Sequence, residues 1–524
     1  MRAAPGVAPL PLRVRDIPLL VALALAGLGV HPAKTAADEW PASTIRGQSP
    51  SGDLFEGQIP RAESSSEFLA PPAAASLPDD GPAAELDSAP PPDDWNAAAA
   101  RLSAQIEELQ AELKDLKAAP PKSDDKKKEE KKDKAWYEKL NIRGYTQFRY
   151  NAVLNDEGDA PPQHVGDFSV QEDQTFLIRR ARVILFGDVS DHLYVYLQPD
   201  FAVTPPGSTD GIQFLQIRDW YGDIYFDDNK EYRVRVGQSK VPYGWENLQS
   251  SQNRLPLDRA DPLNSAVRNE RDLGAFFYWT PTWAQDRFKY IMDEGLKGSG
   301  NYGVFGIGAY AGQGGSLREQ NDNVHLVTRL TLPLQLEDGQ LVEFGVQAYT
   351  GQYAVLSTPI SPLGVGPPVR PTGTFETGDA DGKLDQRIAG SFIWYPQPWG
   401  FQSEWTVGRG PALDDAQTAV TDRPLYGGYA MTMYRIQTES CGELWPFARW
   451  SYFKGGYKSE RNAPWSHVNE WELGLEWQIS KSIEFVSMYT ITDRTNTIAR
   501  NVADTRSYQQ FQGDLLRFQL QMNY

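Results

Sequence analysis

The chain has 524 residues, 12% of them aromatic, and a formal net charge of −18. This acidic balance argues against nucleic acid as a partner, because contacts to phosphate groups need a basic face. The single cysteine, Cys441, permits no internal disulfide and no cysteine-based metal cluster. Five scattered histidines show no spacing typical of a catalytic triad or a metal-binding pair. We therefore expect no enzymatic activity, no cofactor and no metal site.

The only long apolar run covers residues 17–30 and follows Arg13 and Arg15. It is short for a membrane-spanning helix, and small residues follow it. We interpret residues 1–37 as a cleaved signal peptide, so the chain is predicted to be exported.

Residues 38–135 divide into segments that differ in composition and in the spacing of their apolar residues. Residues 38–94 are rich in Pro, Ala, Ser and Gly and cannot bury enough apolar surface to order themselves, which predicts a disordered linker. Apolar residues then recur in alternating steps of four and three, which predicts a short coiled-coil helix over 95–119. A solitary amphipathic helix is the alternative. The charged run at 120–135 indicates a solvated linker. The more specific alternative is that it contacts a cell-wall polymer.

From residue 136 onward, short runs alternate between apolar and polar residues. At the carboxyl terminus, Leu520, Met522 and Tyr524 fall on one face, and Gln521 and Asn523 fall on the other. This pattern suits a barrel with lipid outside and water inside, whereas a soluble edge strand is the alternative. About sixteen such runs, joined alternately by short and long links, predict a transmembrane antiparallel β-barrel over residues 136–524 with a water-filled lumen. Residues 288–292 are treated as part of a hairpin or loop.

Five stretches, in this order, resemble the phosphate-selective porin O/P family. They are residues 178–187 (IRRARVILFG), 234–246 (VRVGQSKVPYGWE), 271–274 (RDLG), 427–434 (GGYAMTMY) and 516–520 (LRFQL). The resemblance implies an outer-membrane barrel, usually a homotrimer, that contacts outer-membrane lipid and passes small anionic solutes. It also implies that the third long loop, about residues 242–269 here, folds into the lumen and narrows it.

Alternation also predicts which side chains face the lumen. In the run that starts at Tyr232, the apolar residues Val234 and Val236 should face lipid, which places Arg233 and Arg235 inside. A guanidinium stays charged and binds oxyanions bidentately, so a file of arginines forms successive weak anion sites. The alternative is that these arginines pair with lumen carboxylates and hold the wall together. The predicted anion-binding and pore-lining residues are Arg180, Arg182, Arg233, Arg235, Arg254, Arg259, Arg268 and Arg517, of which Arg233, Arg235, Arg254 and Arg259 are favoured as anion contacts.

The same alternation places acids inside a late strand. Glu470, Glu472 and Glu476 should point inward, opposite the early arginines, and we predict a transverse field across the lumen. The loop region 240–272 carries equal numbers of basic and acidic residues, so its net charge is about zero. This neutral charge argues against carrying the family's phosphate specificity over to this chain in full.

Two functions of different classes remain open at this stage. The first is an outer-membrane channel for passive diffusion of small solutes, with anions such as phosphate favoured. The alternative is an envelope-organising anchor, in which a periplasmic amino-terminal region binds the cell wall or a partner and the barrel holds it in place.

Deletion of residues 38–134 separates these two functions. We expect single-channel conductance of the refolded barrel to stay intact if the chain is a channel, because the deleted residues lie outside the barrel. If the chain is mainly an anchor, the deletion should abolish its attachment to purified cell wall.

Overall fold

The computed structural model describes residues 135–158, 174–203, 214–364, 366–496 and 509–524, together with the single positions 104, 107, 162, 169 and 170. The predicted signal peptide, disordered linker, coiled coil and charged linker lie outside these described residues, except for Ala135 and the helical positions Ala104 and Glu107. Among the described residues, no helix has the length and apolar character needed to cross a membrane.

The described chain after residue 140 forms one antiparallel sheet of seventeen strands. The first strand pairs with the second on one side and with the last on the other, so the sheet closes into a barrel. The strands are β1 (Asn141–Gly158), β2 (Gln174–Ser190), β3 (Leu193–Val203), β4 (Phe214–Tyr225), β5 (Tyr232–Lys240), β6 (Arg271–Trp279), β7 (Phe305–Tyr310), β8 (His325–Gln335), β9 (Leu341–Tyr353), β10 (Lys383–Trp394), β11 (Trp399–Leu413), β12 (Val420–Tyr434), β13 (Ile436–Thr438), β14 (Gly442–Gly456), β15 (Trp465–Ser480), β16 (Ile483–Asn496) and β17 (Gln509–Asn523).

The strands β12 and β13 are separated only by Arg435, and both pair with β14. They therefore occupy one position in the wall, and the seventeen strands make a sixteen-position barrel. The predicted sixteen-stranded antiparallel barrel is confirmed, and each predicted strand has a counterpart in this order.

The two faces of the wall follow the predicted alternation. On β15, Trp471 and Leu473 are each 49% exposed on the outer face. Glu470 and Glu472, at the intervening positions, are buried inside. An apolar outer face and a polar inner face are what a barrel needs when lipid surrounds it.

The prediction for residues 288–292 is wrong. They belong to the helix α3 (Thr282–Asp293), which lies in the link between β6 and β7. Its residues Ala284, Phe288 and Ile291 are spaced by four and three, so they share one face of the helix and are buried. This link lies at the barrel end where the other turns are short, and its return segment 294–304 runs back into the barrel with Leu296 and Lys297 buried.

The link between β5 and β6, residues 241–270, is called the constriction loop below. It contains the short helices α1 (Trp245–Leu248) and α2 (Asp261–Asn264) and the 3₁₀ turn Arg268–Glu270. It contacts strands from β1 to β17, and a segment that does so in a closed barrel must lie inside it.

Apolar side chains of the constriction loop pack against one side of the barrel. Trp245 is fully buried in a cluster with Leu296 of the return segment and Leu341, Ile393 and Tyr395 of the wall. A second cluster joins loop leucines, including Leu263, to side chains of β12, β14 and β16. The hydrophobic core therefore lies between the constriction loop and the β6–β16 side of the wall, because a third cluster joins Tyr243 of the loop to Tyr278 of β6 and its neighbours.

A charge on the outer face tests whether this face meets lipid. We expect Leu473→Arg, at the middle of β15, to lower the free energy of unfolding in lipid bilayers by about 2–4 kcal/mol, because a charge is costly near the bilayer midplane. Ser480→Arg, at the turn end of the same strand, is the matched control and should cost about 1 kcal/mol or less. Equal losses for the two variants would show that residue 473 does not face lipid.

Candidate functional site

The constriction loop is fixed to β10 and β11 by buried polar contacts. The carboxylate of Glu404 accepts hydrogen bonds from the backbone N–H groups of Trp245, at 2.6 Å, and Glu246, at 3.1 Å. Arg387 donates to the carbonyl oxygen of Pro262 at 3.0 Å and to the hydroxyl of Ser265 at 2.8 Å. These contacts satisfy buried backbone groups, so the loop has a defined position in the lumen.

Two arginines of the late strands hold acids of the loop. Arg449 contacts the carboxylate of Glu246 at 2.6 Å and donates to the carbonyl oxygen of Asp258 at 2.9 Å. Arg494 contacts the carboxylate of Asp261 at 2.7 Å. Because these groups are buried, removal of either partner would leave an uncompensated charge.

The three predicted lumen acids are buried and have cationic partners close by. Glu472 pairs with Arg449 and Glu476 pairs with Lys297 of the return segment. Glu470 pairs with Arg494 at 2.7 Å. Their negative charges are compensated locally, so the transverse field is weaker than the sequence predicts.

On the opposite side of the lumen, two β-bulges add arginines that alternation does not predict. The register between β1 and β2 shifts at Arg179, and the register between β3 and β4 shifts at Arg218. A bulged residue leaves the alternation of its strand, which lets two consecutive side chains share a face. Arg179 lies 3.5 Å from the carboxylate of Asp258, and Arg218 lies 3.6 Å from that of Asp200. The adjacent charged pair Arg179-Arg180 is the sequence signal that could have indicated the first bulge.

Among the predicted residues, Arg180, Arg254 and Arg268 have no ion-pair partner in the part of the chain that the structure describes. Arg180 donates to the side-chain oxygen of Gln147 at 2.7 Å. Arg254 donates to the carbonyl oxygens of Pro256 and Leu257, each at 3.0 Å. Arg180 and Arg254 are buried, so their charges act in a medium that screens poorly.

The other predicted arginines, except Arg268, have ion-pair partners. Arg182 pairs with Asp200 at 2.8 Å, and Arg517 pairs with Asp258 at 2.8 Å. Arg268 donates to the carbonyl oxygen of Ser459 at 3.2 Å. The remaining predicted residues are Arg259, which pairs with Glu270, and Arg233 and Arg235, which both pair with Asp223.

Burial alone would raise the pKa of the Glu270 carboxyl, but the charges of Arg259, Arg271 and Lys240 hold this pKa well below its usual range. Glu270 therefore stays ionised among three cations. Its role is to keep these cations close together in the lumen while compensating only part of their charge.

The basic cluster is the set of cations that line β2, β4, the adjoining ends of β5 and β6, and the facing part of the constriction loop. Its members are Arg179, Arg180, Arg182, Arg218, Lys240, Arg254, Arg259 and Arg271. Among the described residues, the carboxylates within 4 Å of these cations are Asp200, Asp219, Asp258 and Glu270. Cations therefore outnumber carboxylates, and Asp258 is shared with Arg149 and Arg517 as well.

Several guanidinium groups of the basic cluster also have a buried donor without a hydrogen-bond partner among the described residues. These donors are the Nε atoms of Arg179, Arg218 and Arg259 and the Nη1 atom of Arg254, and the Nε atom of Arg218 lies 3.6 Å from the carboxylate of Asp200. A guanidinium presents five N–H donors, which suit a phosphate or carboxylate oxygen.

Comparison with known proteins identifies the family. Residues 156–524 match the family described as phosphate-selective porin O and P. The chain belongs to this family. It is thus an outer-membrane porin that forms a channel, and the matched residues include the constriction loop and every strand after β1.

Solved porin structures are also similar to this porin. The trimer form of OmpT from Vibrio cholerae has a TM-score of 0.42 and 9% identity, covering 74% of this chain and 99% of that chain. OprB from Pseudomonas putida, in its high-pH structure, has a TM-score of 0.43 and 9% identity, with 74% and 94% covered. The anion-selective porin from Comamonas acidovorans has a TM-score of 0.39 and 8% identity, with 74% and 99% covered. The comparison with curated proteins gave no match.

Replacement of Arg449 tests how the constriction loop is held in this porin. We expect Arg449→Met to lower the free energy of unfolding by about 3–5 kcal/mol, because it leaves the buried carboxylates of Glu246 and Glu472 without their shared partner. The measurement is urea unfolding of the refolded porin in lipid. Arg435→Met, which breaks a half-buried pair with Glu443, is the control and should cost about 1 kcal/mol or less. A loss at Arg449 no larger than in this control would contradict the anchoring role.

Proposed function

We propose that this porin conducts small anions, including phosphate, along the basic cluster. The observation that carries the proposal is the excess of cations over carboxylates, among the described residues, between the β2–β4 wall and the constriction loop. No step of this function requires chemistry on the solute.

The basic cluster acts on anions in two ways. Its net positive charge raises the local concentration of anions, and low-dielectric surroundings strengthen this effect. At close range, guanidinium groups of the cluster offer N–H donors that replace water around an oxyanion, and the side chain of Arg179 is 23% exposed. Conduction needs several such sites of moderate strength, so that an anion binds and then leaves.

The acids of the cluster moderate these sites. Asp200 is shared by Arg182 and Arg218, and Glu270 is shared by Arg259, Arg271 and Lys240. Each carboxylate fixes the geometry of its arginines and reduces their attraction for a passing anion. This arrangement favours passage over tight capture.

Arg180, Arg218 and Arg254 are thus stronger candidates for anion contact than Arg233 and Arg235. Arg235 donates to Asp223 at 2.7 Å, and its guanidinium carbon lies 3.9 Å from the centroid of the Tyr221 ring. Arg233 donates to the carbonyl oxygen of Asn301 at 2.6 Å. We assign this second pair to holding the wall and the β6–β7 link.

The proposal includes a homotrimer, on the basis of the family resemblance, and a periplasmic amino-terminal region. The orientation is supported by the position of both ends of the barrel domain. The backbone N–H of Gly144 donates to the carbonyl oxygen of Tyr524 at 2.6 Å, so β1 begins beside the carboxyl terminus at the end with short turns. Short turns face the periplasm in outer-membrane barrels.

Reversal potentials in planar bilayers under a potassium chloride gradient, with and without phosphate, test the proposed function. We expect anion selectivity and block by phosphate. Arg218→Gln and Arg254→Gln should each raise the half-blocking phosphate concentration about tenfold, the equivalent of about 1.4 kcal/mol, because each removes a charged donor. In Arg218→Gln, Asp200 keeps Arg182 as its partner, which protects the fold.

Arg461→Gln is the control, because its side chain is 57% exposed and lies outside the basic cluster. Its phosphate block should match that of the unaltered porin. Cation selectivity of the unaltered porin, or conductance that phosphate does not change, would refute the proposed function.

A further inference from the structure

Three aromatic side chains form a row across neighbouring strands of the β2–β4 wall. Phe186 of β2 is the register partner of Tyr196 of β3, and Tyr196 is the register partner of Tyr221 of β4. The centroids of the two tyrosine rings are 5.1 Å apart with an interplanar angle of 14°, and those of Phe186 and Tyr196 are 6.5 Å apart. We call these three residues the aromatic platform.

The aromatic platform faces the lumen. Asp219 and Asp223 flank Tyr221 at alternate positions of β4, and both pair with inward arginines. On β3, Gln198 and Asp200 follow Tyr196 at alternate positions, and Asp200 pairs with Arg182. Residues two apart on a strand share a face, so the two tyrosines point inward with these acids.

The constriction loop leaves this platform uncovered. Phe186, Tyr196 and Tyr221 are each half-buried. By contrast, Tyr278 and Tyr349 face the same lumen and are almost completely buried in the cluster that includes Tyr243 of the loop. Part of each platform ring is therefore available to a solute.

Two arginines and a glycine lie next to the aromatic platform. The guanidinium carbon of Arg143 lies 5.4 Å from the centroid of Phe186, and that of Arg235 lies 3.9 Å from the centroid of Tyr221. Arg143 is exposed and has no ion-pair partner in the described part of the chain. Opposite Tyr221 on β5 stands Gly237, with φ +126°, which adds no side chain to cover the ring.

The platform directly follows the basic cluster along the strands. Gln198 and Asp219 are register partners, and Asp219 pairs with Arg271 of the cluster at 2.9 Å. The next inward pair toward the short-turn end is Tyr196 and Tyr221. A solute that leaves the cluster toward the periplasm therefore meets the aromatic rings.

We propose that the aromatic platform binds the ring of phosphate monoesters that carry a flat aromatic group, while neighbouring arginines bind the phosphate. Tyr196 and Tyr221 are stacked on each other and Arg235 lies over Tyr221, so a flat solute ring meets the exposed ring edges, where edge-to-face contact is favourable. Arg143 gives the phosphate a partner at the end of the row. This inference rests on the proposed anion conduction and narrows its solute class from inorganic phosphate to aryl phosphates.

Block of single channels by phenyl phosphate and by methyl phosphate tests the proposal, because the two esters share the anionic group and differ in the ring. We expect phenyl phosphate to block the unaltered porin at about fivefold lower concentration. The double variant Tyr196→Leu/Tyr221→Leu should lose this difference and keep its block by methyl phosphate. Tyr196→Phe/Tyr221→Phe keeps both aromatic rings and should keep the difference.

The matched control is Tyr426→Leu/Tyr452→Leu, which removes a stacked tyrosine pair, 6.0 Å apart, from the outer face of the barrel. It should preserve the fivefold difference. If the double leucine variant of the platform does not refold, Phe186→Leu takes its place and should reduce the difference.

Each contrary outcome has a distinct meaning. Equal block of the unaltered porin by both esters would overturn the platform proposal and leave the proposed anion conduction standing. A fivefold difference that persists in the leucine variants would likewise assign the ring preference to another place. Absence of block by methyl phosphate, phenyl phosphate and inorganic phosphate together would overturn the proposed function itself.

Discussion

The ion pairs between the constriction loop and the barrel wall are the constraint on which the lumen depends. Arg449 and Arg494 hold Glu246 and Asp261 from one side, and Arg149 and Arg517 hold Asp258 from the other. A buried charge is costly unless it is paired. Only a few placements of the loop in the lumen therefore allow all these ion pairs to form at once. These pairs specify where the loop lies more than they add net stability.

This position divides the lumen into two chemically different sides. Trp245, Leu255, Leu257 and Leu263 pack the loop onto the β9–β16 side, where apolar contacts fill the space. The opposite side keeps the basic cluster, where cations exceed carboxylates. Because the acids Glu470, Glu472 and Glu476 are paired next to the apolar packing, they do not offset that excess across the lumen.

Two β-bulges in the barrel wall contribute arginines to the basic cluster. The bulges at Arg179 and Arg218 interrupt alternation and add two guanidinium groups to a face that regular strands would give to alternate residues only. The strand register then places the basic cluster and, nearer the short-turn end, the aromatic platform along the same wall. Arg235 joins the two, since it pairs with Asp223 and lies over Tyr221.

The sequence by itself determined the barrel, because period-two alternation is a local property that each strand carries in its own residues. Alternation also places Arg182 and Glu472 inside, where the structure has them buried. Alternation does not predict that Arg218 faces the lumen. The sequence analysis also missed the helix at Thr282–Asp293, although the buried residues of this helix have helical spacing. Only the tertiary structure decided which inward charges pair. The partners Arg449 and Glu246, or Lys297 and Glu476, lie far apart in the chain, and barrel register with loop position brings them together.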